Sequence, residues 1–242
     1  MAHGGGTGTG GVGGTLRRIW MFLTNPELFL FFFLLRFFKI YTRITGGEVE
    51  LTTSDMRAGG ISRFIKAGTV YFAYKDGIYP ERVALGRAMD NVQNLALQYC
   101  KGAGLDIGAN QWPLPGARGV DNALDENAYL LDKWADGSLD FIFSSHCLEH
   151  LDRWQFALAL WCRKLKPGGT LFLYLPHKSM TLWEPGSPWV GDGHVWSPTP
   201  ELVVSELQAA GMEIVHVDPG PDSYYSFHVV ACASDGPGME LS

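Results

Sequence analysis

Charge is scarce in this chain. Only 18% of its 242 residues are charged and the formal net charge is -6, which argues against a general nucleic-acid binder, because phosphate contacts need clustered cations. Cysteine is scarce too. Cys100, Cys147, Cys162 and Cys232 show no C-x-x-C spacing, so they read as buried thiols of a reducing compartment and predict a cytoplasmic location. The apolar run Leu28 to Leu35 breaks off after eight residues, whereas a membrane-spanning helix needs about 20. What the chain does have is apolar mass. With 46% hydrophobic residues it can bury one full α/β domain and carry an extension, but not two comparable domains.

The informative stretch runs from Gly104 to His150. Gly104-Leu-Asp-Ile-Gly108 reads as a short apolar strand ending in an acid and a glycine, which is how a parallel sheet brings its strand ends to a ligand. Asp106 and Gly108 then face a crevice. A second strand, Arg118-Gly-Val-Asp121, ends in another acid, and a carboxylate there can accept hydrogen bonds from both ribose hydroxyls. A third strand, Leu139 to Ser144, runs into Ser145-His146 at the same edge, and Leu148-Glu149-His150 opens a helix. The spacing Gly104-x-x-x-Gly108 is not the G-x-G-x-x-G that lets a pyrophosphate approach, which disfavours a nicotinamide-dependent oxidoreductase.

Three motifs in order, LDIGAN with PLPGARGVD, then DGSLDFIFSSHCLEHL, then LKPGGTLFLYLPH, make residues 80 to 232 resemble the class I S-adenosylmethionine-dependent methyltransferases. The resemblance implies a Rossmann-like α/β sheet of seven strands with an antiparallel last strand, and S-adenosylmethionine as cofactor. It places Asp106, Gly108, Asn110, Asp121, Asp132, Ser144 and His146 at the cofactor. Two features depart from the commoner pattern. Asn110 stands where many members have a second glycine, and only about 20 residues separate Asp121 from the next strand, too few for an ordinary strand–helix–strand unit. The sheet edge is therefore expected to be abbreviated, with Asp132 following a brief third strand, Tyr129-Leu-Leu-Asp132, toward the adenine amino group.

Four segments are expected: a disordered Gly-rich tail at 1–15, an apolar and basic helical segment at 16–45, a lid or hairpin at 46–79, and the methyltransferase domain at 80–242. Asn25-Pro26-Glu27 has the layout of a helix start, predicting a helix from Pro26 to about Tyr41. Arg36, Lys39 and Arg43 recur on one flank of it. This pattern fits a helix lying in a membrane interface; packing on its own domain or on a second copy of the chain is the alternative. Pro80-Glu81 opens a predicted helix to Tyr99 that covers the cofactor. Lys166-Pro-Gly-Gly169 reads as a turn before a buried strand, and residues 176–200 as a long loop, a feature usually functional in a compact domain.

That loop carries the chemistry. Trp183, Trp189 and Trp196, interleaved with Asp192 and His194, make an aromatic wall with a base, unless the tryptophans merely pack the loop down. His194 is the first choice of base, with a pH dependence near the ordinary imidazole value, and His177 is its rival. No metal is assigned to His146-Cys147-x-x-His150, because the methyltransferase pattern already accounts for those residues, and His216 and His228 receive no role. The expected activity is methylation at oxygen of a saccharide or another small or lipid-linked acceptor. A non-catalytic scaffold at a membrane is the other class kept open, and a homo-oligomer is an open possibility of assembly.

Overall fold

The computed structural model describes residues 26–234; the expected Gly-rich tail and the first part of the apolar segment lie outside them. Helix α1 is Pro26–Thr45. Strands β1 (Glu48–Glu50), β2 (Ser62–Lys66), β3 (Thr69–Tyr74) and β4 (Gly77–Pro80) form an antiparallel sheet in the order of the chain, with the short helix α2 (Ser54–Ala58) between β1 and β2. The expected lid is thus a four-stranded meander. The reason lies in β3, where Val70 and Phe72 face inward while Thr69 and Tyr71 alternate outward, the period-two pattern of a half-buried strand.

The second sheet holds β5 (Gly104–Ile107), β6 (Ala117–Val120), β7 (Leu139–Ser145), β8 (Leu165–Pro176), β9 (Met212–Asp218) and β10 (Ser226–Ala233). Its spatial order is β6-β5-β7-β8-β10-β9. Pairs among β5, β6, β7 and β8 are parallel, and β10 runs antiparallel to both neighbours. Among the described residues the sheet has six strands, not seven. The expected third strand at Tyr129–Asp132 is a series of turns among the described residues, because Asp121 caps a 3₁₀ turn at Asn122–Leu124 and Asp125 adopts a left-handed conformation. Leu131 still enters the core, so the segment packs without pairing.

Alternation along the strands sorts the core onto two faces. Leu105, Ile107, Ile142, Leu171, Leu173 and Leu175 meet helices α4 (Trp154–Lys164) and α5 (Pro200–Ala209) on one side. Phe141, Phe143, Phe172 and Tyr174 meet helix α3 (Met89–Tyr99), the meander and the long loop on the other. Each side chain of this size, fully buried, contributes about 1.5–3 kcal/mol before entropy is subtracted. The Lys166-Pro-Gly-Gly169 segment belongs to β8 as a bulge: Leu139 pairs with Leu165, and Phe141 already pairs with Thr170.

The helix expected over Pro80–Tyr99 is broken. Pro80 ends β4, a 3₁₀ turn covers Glu81–Ala84, and Gly86 and Arg87 sit at φ 78° and 71°, a left-handed pair that no α-helix can contain. α3 starts only at Met89. Helix α1 docks by its C-terminal half, where Leu35, Phe38, Lys39 and Thr42 recur at helical spacing on the less exposed face. Thr42 accepts the Gly68 N–H of the β2–β3 turn at 3.0 Å. Its other faces stay in the open, with Phe33 58% and Ile44 79% exposed.

Candidate active site

A cavity of about 830 Å³ opens at the ends of β5 and β7. Residues 83–90 form one rim, Asp106, Gly108, Ala109, Asn110 and Trp112 one wall, and Ser145, His146, His150, Trp183, His194 and Tyr224 the opposite wall. The broken helix explains the rim, because the left-handed Gly86-Arg87 turn carries residues 84–88 over the opening instead of winding them into α3.

The first wall comes from local backbone. Gly108 turns at φ 88°, and a Cβ there would meet Cys147 Sγ at 2.8 Å, so only glycine lets the β5 turn lie against the β7 turn. Asn110 also has positive φ, 48°, a conformation asparagine tolerates better than most residues. This is how the chain manages without a second glycine. Asp106 is 2% exposed. One carboxylate oxygen accepts the Leu114 N–H at 2.7 Å and the other has no partner. Burial pushes its pKa up to about 7, opposed by the Leu114 hydrogen bond and helped by nearby Asp121. An unpartnered buried acceptor of this kind is costly unless a ligand donor satisfies it.

Of the other residues expected at the cofactor, His146 lines the cavity and three do not. Ser144 lies one residue from the correct parity on β7. It is fully buried and donates its hydroxyl to Ile107 O at 2.8 Å, while Ser145, on the other face, reaches the cavity with an unpartnered Oγ. Asp121 accepts the Asn110 and Ala123 N–H groups at 3.0 and 2.8 Å, and so binds the β5 and β6 turns to each other. Asp132 is exposed in a turn with no strand to aim it.

The second wall is a cluster of histidines around one buried carboxylate. Glu149 is 0% exposed and neither of its oxygens has a hydrogen-bond partner. Its Oε1 lies 3.5 Å from His146 Nδ1, 3.9 Å from His150 Nε2 and 3.9 Å from His194 Nε2. Burial pushes the Glu149 pKa up to about 8. The same desolvation, reinforced by neighbouring imidazoles, lowers His194 to about 4 and His146 to about 3. His194 is therefore neutral at pH 7, and its titration lies well below the ordinary imidazole value expected from sequence. Its Nδ1 lies 2.6 Å from Trp183 O, and His150 Nδ1 lies 2.6 Å from Gly193 O. A carbonyl can only accept, so both rings carry the proton on Nδ1 and turn the lone pair of Nε2 inward.

His177 stands apart. It lies beside Trp183, His194 and Trp196 in a second, much smaller depression, and Ser179 N–H donates to its Nδ1 at 3.1 Å. The three tryptophans divide. Trp183 lines the cavity, edge-on to His146 at 4.9 Å. Trp189 packs on Phe72 of the meander at 4.7 Å, and Trp196 stacks on Trp154 at 4.1 Å while donating to Leu148 O. One tryptophan serves the cavity and two fasten the loop. Trp112 and Tyr224 carried no sequence signal, while the 84–88 rim falls in the segment expected to cover the cofactor, as a turn in place of a helix; Tyr224 arrives through Asp222, whose carboxylate takes the Tyr224 N–H and the Tyr174 hydroxyl.

Residues 85–173 match the family model described as a methyltransferase domain. No curated protein matches the chain. Among solved structures, a possible histamine N-methyltransferase from Thermotoga maritima is 16% identical, covering 64% of this chain and 93% of its own with a TM-score of 0.49. An S-adenosylmethionine-dependent methyltransferase from Mesorhizobium loti is also 16% identical, covering 62% and 99% with a TM-score of 0.46. One from Archaeoglobus fulgidus is 17% identical, covering 63% and 96% with a TM-score of 0.46. The family match supports a methyltransferase domain over residues 85–173, with S-adenosylmethionine as its cofactor.

Proposed function

We propose that the chain moves the methyl group of S-adenosylmethionine to a hydroxyl oxygen of a small acceptor, a saccharide or a lipid-linked molecule. The observation that carries this reading is the His194 Nε2 lone pair, held in the cavity wall opposite Asp106, Gly108 and Asn110. The acceptor oxygen attacks the methyl carbon, the carbon–sulfur bond breaks with its electrons going to sulfur, and the hydroxyl proton passes to His194 and then to solvent. The products are a methyl ether, S-adenosylhomocysteine and a proton. A sulfonium is already a good leaving group, so alignment between the two walls supplies most of the acceleration. Asp106, Gly108, Asn110 and His146 hold the methionine part, and Asp121 takes the ribose once its carboxylate turns from Asn110. Trp183 offers the acceptor a flat apolar face.

The test is transfer of a labelled methyl group. Label in a hydroxyl-bearing acceptor is expected. Binding of S-adenosylhomocysteine with no transfer to any hydroxyl, amine or thiol acceptor would favour a non-catalytic scaffold instead.

A second reading concerns location, and rests on the exposed apolar side chains Phe33, Phe37, Ile40 and Ile44 beside Arg36, Lys39 and Arg43 on α1. Among the described residues no helix is long and apolar enough to cross a membrane. The helix is instead suited to lie at the headgroup level of an anionic surface, on the cytoplasmic side, near lipid-linked acceptors.

A further inference from the structure

Glu149, His150 and His194 come from two distant parts of the chain. His150 follows β7, His194 lies in the long loop, and one donor atom from each falls within 4.8 Å of the others. The arrangement makes little sense for the protein alone. Glu149 is fully enclosed with both oxygens unpartnered, while the two imidazoles fixed by Trp183 O and Gly193 O aim lone pairs, not protons, toward it. Even with the proton that burial leaves on Glu149, the two imidazole lone pairs face it at 3.9 Å, beyond hydrogen-bond range, so the cluster stays short of donors. His146 adds to it. Ser226 Oγ lies within reach of Tyr224 O at 3.3 Å, leaving a lone pair to accept from His146 Nε2 at 2.8 Å and turning His146 Nδ1 to Glu149 as a further acceptor.

We propose that Glu149, His150 and His194 bind a divalent cation of the zinc class, with the remaining coordination position open to the cavity. Two imidazole nitrogens and one carboxylate are the donor set of a three-ligand catalytic zinc site, and an Nδ1–H held by a backbone carbonyl is the usual support behind a ligating Nε2. All-oxygen ions such as Mg²⁺ and Ca²⁺ are poorly served by two imidazoles. Zinc bonds of about 2.0–2.1 Å in tetrahedral geometry put donor atoms about 3.4 Å apart. The 3.9 Å separations of Glu149 Oε1 from the two imidazoles therefore need to close by about 0.5 Å, and the two imidazole nitrogens, within 4.8 Å of each other, by up to about 1.4 Å.

For the acceptor alone, the consequence rests on the reading of the site as a methyltransferase, and it replaces the base assigned there. Both ligating imidazoles line the cavity and Glu149 lies behind them, so an acceptor oxygen can occupy the open position. The cation then draws off the hydroxyl proton to solvent, and His194 serves as a ligand in place of a base.

Cation binding is read without turnover. The full chain, stripped with chelator, is titrated with Zn²⁺ by calorimetry and with Co²⁺ by its visible absorption. One equivalent is expected, with Mg²⁺ failing to compete. Glu149→Gln and His194→Ala should each weaken binding by at least about 100-fold. His150→Ala, at a half-exposed position, keeps the test valid should the buried variants misfold. Absence of a bound equivalent, or unchanged affinity in folded His150→Ala and His194→Ala, overturns the proposal. S-adenosylhomocysteine binding is measured separately, so a failed cofactor reading with an intact zinc equivalent leaves the cation site standing, and the reverse result removes the cation while sparing the cofactor.

Discussion

The two walls of the cavity are built by opposite strategies. On the β5 side, Asp106, Gly108 and Asn110 lie within five residues, and local backbone geometry alone puts an acid, a tight turn and a polar amide at one strand end. On the β7 side, His146, Glu149 and His150 meet His194 only because the long loop folds back, fixed by the Trp196–Trp154 stack and by Val195 N–H donating to Glu149 O at 3.0 Å. The first wall is a short sentence in the sequence; the second is written in two places. A cofactor shared by many chemistries suits the first kind of construction, and an acceptor peculiar to one enzyme suits the second.

If that division is real, variants on the two walls should separate turnover from cofactor affinity. The largest effect belongs to His194→Ala, which should lower methyl transfer by about 10²–10⁴-fold with S-adenosylhomocysteine affinity nearly unchanged; equal losses in both would erase the distinction. His177→Ala, outside the main cavity, should leave turnover alone, and a large loss there would move the acceptor site. Next comes Asp121→Ala, expected to cost about ten- to hundredfold in cofactor dissociation constant through lost hydrogen bonds to a charged acceptor. Calorimetry decides whether that carboxylate serves ribose or only ties Asn110 to Ala123.

The segmentation of the core was legible in sequence because strands buried on both faces are short apolar runs, and Leu139–Ser145 and Thr170–Pro176 are such runs. The antiparallel last strand was legible too, as an implication of the family resemblance, and β10 runs antiparallel to both neighbours. Parity at strand ends was not. Nothing in Ser144-Ser145 tells which hydroxyl faces the ligand until Phe141 and Phe143 are placed against Phe172. The missing third strand was half visible in the shortened spacing after Asp121, yet an apolar Tyr-Leu-Leu triplet reads alike whether it pairs or only packs. Glu149 escaped as a site residue because a buried carboxylate is visible only when its surroundings are.

A smaller effect tests the first wall by pH. Asp106 has a folded pKa of about 7 against an unfolded value near 3.8, so the folded state holds the extra proton between those values. Its contribution to stability is full below the lower value and is lost as pH rises through about 7, falling by about 1.4 kcal/mol for each pH unit crossed in that window. Thermal melts of the cofactor-free protein from pH 5 to 8 should show this slope relative to Asp106→Asn, which holds the Leu114 contact without titrating. Parallel profiles would mean that the unpartnered oxygen is solvated. The smallest effect lies outside both walls. Phe33→Glu with Phe37→Glu should reduce flotation with anionic vesicles, each ring contributing up to about 1.5–3 kcal/mol when buried, while both cavity readouts stay as they are.

The strand order carries a consequence for how the molecule is made. β10 lies between β8 and β9 although β9 precedes it in sequence, so the edge of β8, with Leu171, Leu173 and Leu175 along it, stays uncapped until nearly all of the described chain has emerged from the ribosome. Only then can Ser226 pair with Pro176 and bring its hydroxyl to His146. During synthesis, β8 is a row of open amides and carbonyls on an apolar ribbon, the kind of template that recruits a neighbouring nascent chain. β10 is thus both the last of the described strands to reach the cavity and the cover of the β8 edge.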